Sequence, residues 1–258
     1  MDIRNLKGSI VALVTPFHAD GSVNFDKLRE LTQWHIASGT DAILALGTTG
    51  ESSTMTHEED DAVLRCVIEA AQGRVPVIAG TGSNSTQTML EKSLRAEALG
   101  ADGLLLITPY YNKGNAEGIY RHFVTVADAV KIPCILYNVP GRTGCSISVE
   151  NVERLSKHPN ICGIKEASGD MSYAMKIAHC VGPDFALWCG NDDITLPLLS
   201  IGGSGVISVW ANIMPRECHE MVMDYLEGRR EQAVAAAVKH LDLMNGLFME
   251  VNPIPVKT

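Results

Sequence analysis

The chain has 258 residues, 46% apolar and 20% charged, an ordinary balance for a globular protein that can bury a core without staples. Its net charge of −9 excludes a basic face for non-specific nucleic-acid binding, although a few local donors can still hold a carboxylate inside an acidic protein. Seven cysteines, odd in number and never spaced CxxC, argue against a disulfide framework or a zinc knuckle and fit a reducing cytoplasm; neither a signal peptide nor a membrane span is read.

Eight short β-rich runs begin near Ser9 (SIVALVT), Asp41 (DAILAL), Pro76 (PVIAG), Gly103 (GLLLIT), Pro133 (PCILYN), Ile161 (ICGIK), Phe185 (FALWCG) and Gly205 (GVISV), with starts 20 to 35 residues apart. Most are apolar throughout rather than alternating, the pattern of parallel strands covered on both faces. Helix-period segments separate them. Phe25, Leu28, Leu31 and Trp34 share one helical face, and Ala62, Val63, Cys66, Val67 and Ala70 share another. Thr56-His57-Glu58-Glu59 predicts a capping box, and Gly100 closes the helix that ends near Leu99. After the eighth run the pattern stays helical through about Pro215–Glu227 and Arg230–Met249, until Val251-Asn252-Pro253-Ile254-Pro255 breaks it. This alternation fits a barrel or a doubly wound sheet. The unit count of eight, and the absence of any GxGxxG or Walker loop after a strand, favour a (β/α)8 TIM barrel over residues 1–228, followed by a C-terminal helical segment over 229–258.

In such a barrel the residues just after each strand line one mouth, where catalysis occurs. The unusual residues of this chain fall there: Gly47-Thr48-Thr49-Gly50-Glu51 after the second strand, Tyr110-Tyr111-Asn112 after the fourth, Tyr137 to Gly144 at the fifth, Lys165 to Asp170 at the sixth, and Gly190-Asn191-Asp192-Asp193 after the seventh. Lys165, taken alone, is a strand-end lysine reaching for water. Held in a barrel mouth, it loses hydration, its pKa falls, and the free amine can attack a ketone. Thr48 and Thr49 form either a plain turn or an anion cradle of hydroxyls and backbone amides. Tyr137 is either a core tyrosine or a proton shuttle beside the lysine. Arg142, between glycines, is either a solvated loop arginine or a fork for a carboxylate. Asp192 and Asp193 suggest the N-terminal cap of the seventh helix, and no ligand spacing supports a metal site.

GTTGE at 47–51, YYNK at 110–113, YNVPGRTG at 137–144, GIKEASGD at 163–170, GNDD at 190–193 and GGSGVISV at 202–209 together resemble the 4-hydroxy-tetrahydrodipicolinate synthase (dihydrodipicolinate synthase) family of Schiff-base pyruvate aldolases. The resemblance runs from about residue 3 to the end of the chain. It implies a lyase or synthase that condenses pyruvate with aspartate semialdehyde in lysine and diaminopimelate biosynthesis, with Lys165 forming the imine and no metal or organic cofactor. It implies a proton relay of Thr48, Tyr137 and Tyr111, the last reaching across a dimer interface. The amides of Thr48 and Thr49 would hold the pyruvate carboxylate and Arg142 that of the semialdehyde. Gly190 and Ile207 would offer backbone carbonyls near the lysine. The implied assembly is a homotetramer, a dimer of dimers.

Many members of the family are inhibited by lysine, and the matching positions are Ser52, Ser53, His57, Asp60, Asn84, Thr88 and Tyr110. Asp60 stands where a second histidine is often found, and Thr88 where a glutamate would pair with the ligand's ammonium, so weak or absent feedback is expected. Family chains usually continue past Asn252-Pro-Ile-Pro-Val-Lys-Thr258 with further helices, whose absence could expose an apolar face on the outer helices. Two alternatives stay open from the residues: a lyase for N-acetylneuraminate or a 2-keto-3-deoxy acid, which the GRTG element at 141–144 argues against, and a barrel without catalysis.

Overall fold

In the computed structural model, which describes residues 1–258, each of the eight apolar runs forms a strand. These are β1 (Gly8–Ala12), β2 (Ala42–Ala45), β3 (Val77–Gly80), β4 (Gly103–Ile107), β5 (Cys134–Asn138), β6 (Ile161–Glu166), β7 (Ala186–Cys189) and β8 (Gly205–Ser208). All neighbours pair in parallel, and β8 returns to β1, so the sheet closes in chain order. Closure removes both sheet edges and sends alternate side chains inward and outward.

The helices are α1 (Phe25–Ala37), α2 (His57–Ala71), α3 (Thr86–Leu99), α4 (Ala116–Ala129), α5 (Pro140–Thr143), α6 (Val149–Leu155), α7 (Met171–Ile177), α8 (Thr195–Ser200), α9 (Pro215–Leu226), α10 (Arg230–Gly246) and α11 (Ile254–Lys257). The capping box forms as expected: Thr56 Oγ1 accepts from Glu59 N–H, and Glu59 Oε2 accepts from Thr56 N–H at 2.8 Å. Gly100 closes α3 with φ of 98°, a left-handed conformation that glycine adopts without a Cβ clash. In α1 the expected stripe is displaced. Leu28, Thr32 and His35 are buried, at the i, i+4, i+7 spacing of one helical face, while Trp34 is left 40% exposed. Burial lowers the His35 pKa to about 4, so that ring is a neutral core residue.

Two apolar layers result. The larger lies between barrel and helices and includes Val11, Ile43, Leu104, Leu136, Ile164 and Val206. It takes in Ala233, Met244 and Leu247 at the C-terminal end of the chain, while α10 leaves Val234, Val238 and Leu241 exposed along another side. The smaller fills the barrel itself with Ile10, Leu44, Ile78, Leu105, Ile135, Trp188 and Ile207. Its lower end is closed by the N-terminal segment: Ile3 is fully buried in this layer, and Trp188 Nε1 donates to the Leu6 carbonyl at 3.3 Å. Gly163 makes room for the indole, because a Cβ there would come within 2.5 Å of Trp188 Cζ3. The register between β5 and β6 shifts by one residue after Cys134, which brings Lys165 opposite Tyr137.

Five of the seven cysteines are buried and all are free. No helix is long and apolar enough to cross a membrane. Replacing Trp188 by alanine empties the centre of the inner layer; the expected loss is about 3–5 kcal/mol of unfolding free energy, read from the urea midpoint.

Candidate active site

The barrel mouth gathers side chains from five strand ends. β6 carries Lys165 inward, with Tyr137 beside it on β5. Lys165 is 5% exposed, and its Nζ lies 4.5 Å from the centroid of the Tyr137 ring. The ladder continues past the strands: Ala167 N–H donates to the Asn138 carbonyl at 2.9 Å and Gly190 N–H to the Glu166 carbonyl at 2.7 Å, fixing the backbone on both sides of the lysine. Glu166, pointing outward, accepts from Asn138 Nδ2 at 2.7 Å and ties the same two loops together.

Electrostatics follow from burial. Desolvation lowers the Lys165 pKa from 10.5 to about 8, an effect opposed first by the Asp192 carboxylate and then by Cys189. Desolvation pushes the Tyr137 phenol up to about 12, so it holds its proton at neutral pH. Asp192 is buried, and its pKa is raised by desolvation. It does not cap a helix, as the sequence suggested. Its Oδ2 instead accepts from the Val209 and Trp210 amides at 3.0 and 2.9 Å, joining the end of β7 to the end of β8. Two strand-end amides without ladder partners attract the carboxylate more strongly than a short helical turn does.

An inner cavity of about 200 Å3 surrounds this cluster, lined by Thr48, Thr49, Tyr137, Arg142, Lys165 and Gly190 among others. Thr48 begins a single 3-10 turn after β2, entered through Leu46, whose φ of 59° turns the chain sharply at the strand end. Arg142 is exposed on α5. Ile207 lies fully buried inside the barrel and does not border the cavity; Val209, two residues on, does. Tyr111 is 91% exposed and does not line the inner cavity. Sequence reasoning missed Asn252 and Phe248, which reach the inner cavity from the segment after α10. Their distance in sequence from any strand end hid them.

A second cavity of about 440 Å3 adjoins the first through Gly47, Thr48, Tyr137 and Arg142. It brings together Ser52, Ser53, His57, Asp60, Thr88 and Tyr110. Asn84 is not among its lining residues; its carbonyl accepts from Asn112 Nδ2 at 3.0 Å. The cavity contains a charge pair of its own, Lys92 Nζ to Asp60 Oδ2 at 2.8 Å, with both side chains largely buried. No group of three or more His, Cys, Asp or Glu side chains is placed to hold a metal ion.

Gly190 controls the position of Lys165. A Cβ there would lie 3.0 Å from Lys165 Cε and 2.5 Å from Ala167 Cβ. Gly190→Ala is therefore expected to displace the amine and lower kcat by at least about tenfold, since misplacement by about 1 Å costs more than that, and to lose the about 1–3 kcal/mol of an overpacked site, read from a lower urea midpoint.

The chain matches the model of the dihydrodipicolinate synthetase family over residues 5–258. It is 52% identical over 252 residues to a 4-hydroxy-tetrahydrodipicolinate synthase of Geotalea daltonii, covering 98% of this chain and 87% of that one. It superposes with a TM-score of 0.95 on the chloride-inhibited dihydrodipicolinate synthase of Acinetobacter baumannii solved with pyruvate, at 45% identity over 98% of this chain and 87% of that one. The TM-score is again 0.95 with the enzyme of Cyanidioschyzon merolae solved with lysine bound, at 41% identity over 98% and 87% of the two chains. A barrel with a buried amine at its mouth, matched along almost its whole length, makes this chain a member of the dihydrodipicolinate synthetase family.

Proposed function

We propose that this chain condenses pyruvate with L-aspartate 4-semialdehyde through an imine on Lys165, giving 4-hydroxy-tetrahydrodipicolinate. The observation that carries the reading is the poorly hydrated amine of Lys165, its pKa lowered to about 8, beside a phenol that keeps its proton. The free amine adds to the pyruvate ketone, and loss of water leaves an iminium. Loss of a methyl proton gives the enamine, whose carbon attacks the aldehyde and forms the new C–C bond. The amino group of the aldehyde partner then attacks the imine carbon, closes the ring and releases Lys165. The imine is itself the electron sink, so the reading needs neither metal nor organic cofactor.

Tyr137 and Thr48 border the cavity around Lys165, a placement that supports proton transfer during addition and loss of water. The amides of Thr48 and Thr49, at the start of a tight turn, suit the pyruvate carboxylate, and Arg142 suits that of the aldehyde. In this reading Gly190, at the cavity wall, offers its backbone carbonyl near the lysine, while Ile207, which does not border the cavity, takes no part. Tyr111, exposed and left-handed at φ 69°, completes the relay only by reaching a second copy of the chain. The reading therefore takes the enzyme to be at least a dimer, in a tetramer of two such dimers, within the cytoplasm. The family relatives favour this substrate pair over the sialic-acid and keto-deoxy-sugar lyases and over a barrel without catalysis.

Borohydride with pyruvate is expected to leave a reduced pyruvyl adduct on Lys165 alone, mapped by peptide mass, and Lys165→Ala to lose both adduct and turnover. An adduct on another lysine refutes the reading. The ammonium is the inert form, so the rate of imine formation rises with pH through a midpoint near 8. Ser52, Ser53, His57, Asn84 and Tyr110 are the positions that would serve an allosteric lysine. The buried Asp60 carboxylate is already paired with Lys92, and Thr88 offers no charge. A missing charge-assisted contact costs about 1.5–3 kcal/mol. Free lysine at submillimolar concentration is therefore expected to leave the steady-state rate unchanged; strong inhibition there contradicts the assignment.

A further inference from the structure

Asn252 lines the inner cavity from outside the strand ends and is only 5% exposed. Its Nδ2 donates to Thr49 Oγ1 at 2.9 Å, which fixes the plane of the amide. Its Oδ1 is buried and has no hydrogen-bond donor within the protein. A buried carbonyl oxygen left without a donor is costly, and nearly all such atoms in folded proteins have one. At the wall of a cavity, a donor on a bound guest would relieve that cost.

The position of Asn252 says which donor. A groove of about 500 Å3 lies outside the inner cavity, and Arg142, Phe248 and Asn252 are the three residues common to the linings of both. An α-amino acid carries its carboxylate and ammonium on one carbon, so the groups that recognise them must converge. Arg142 and Asn252 both line the passage between groove and cavity. We infer that Asn252 is a specificity-determining residue that accepts a hydrogen bond from the α-ammonium of the incoming amino aldehyde while Arg142 takes its carboxylate. This rests on the condensation assigned above.

Asn191 is the competing acceptor, since its Oδ1 is also buried without a partner beside the inner cavity. It does not border the outer groove with Arg142, and no side-chain bond anchors it as Thr49 anchors Asn252.

The test compares aspartate semialdehyde with succinic semialdehyde, the same aldehyde acid without the amino group. The KM of the first and the inhibition constant of the second against it are measured in wild type, Asn252→Ala, Asn252→Asp and Asn191→Ala. Wild type prefers the amino aldehyde. Asn252→Ala is expected to erode that preference about tenfold, the loss of one hydrogen bond to a charged group, by raising KM alone. An unmoved inhibition constant shows that the fold and the Arg142 contact survive. Asn252→Asp, which keeps an acceptor in place, is expected to hold or increase the preference. The inference fails if the preference is unchanged in Asn252→Ala, or if both constants rise together, which would assign the amide to the shared carboxylate. It fails equally if Asn252→Asp erodes the preference as alanine does, or if only Asn191→Ala erodes it. A wild-type enzyme that traps no pyruvate with borohydride would instead overturn the underlying condensation.

Discussion

The withdrawal of one amine from water is the constraint on which the rest of this molecule depends. Lys165 stands on the inner face of a closed sheet, where hydration is poor and the ammonium is disfavoured. Burying a lysine without relief would drive its pKa far down and destabilise the fold. Asp192 supplies the relief as a carboxylate that opposes the desolvation. The same carboxylate holds the amides of Val209 and Trp210, so the group that moderates the lysine also joins two strand ends. Charge balance and architecture meet in one side chain.

The strands were legible in the sequence because parallel strands buried on both faces are apolar without interruption, and all eight runs lie where strands form. The capping box at Thr56 and the glycine stop at Gly100 were legible because each depends on residues within a few positions of one another. Lys165 and Tyr137 were legible as strand-end residues, since neighbouring parallel strands bring their ends together. Features that depend on distant partners were not. Asp192 resembles a helix cap locally and meets its true partners only across β8. Asn252 follows a helix break and reaches Thr49 through a contact spanning most of the chain. The burial of Thr32 and His35 in place of Trp34 was hidden because hydrophobicity alone places the tryptophan inside.

The cavity containing Lys92 and Asp60 holds a charge pair of its own, apart from the inner chamber. Ser52, Ser53, His57, Thr88 and Tyr110 line it around a buried carboxylate that is already paired. A cationic guest would have to compete with a tethered ammonium that cannot diffuse away, and a tethered partner has the advantage of effective concentration.

The floor of the barrel has a consequence for the order of events. Trp188, Ile3 and Leu6 plug the lower end, so the chamber opens only towards the mouth, where it adjoins both the neighbouring cavity and the outer groove. Guests cannot pass through the floor; whatever enters must leave from the mouth side. A guest held at Lys165 has the packed floor behind it, and a second can meet it only from the mouth side.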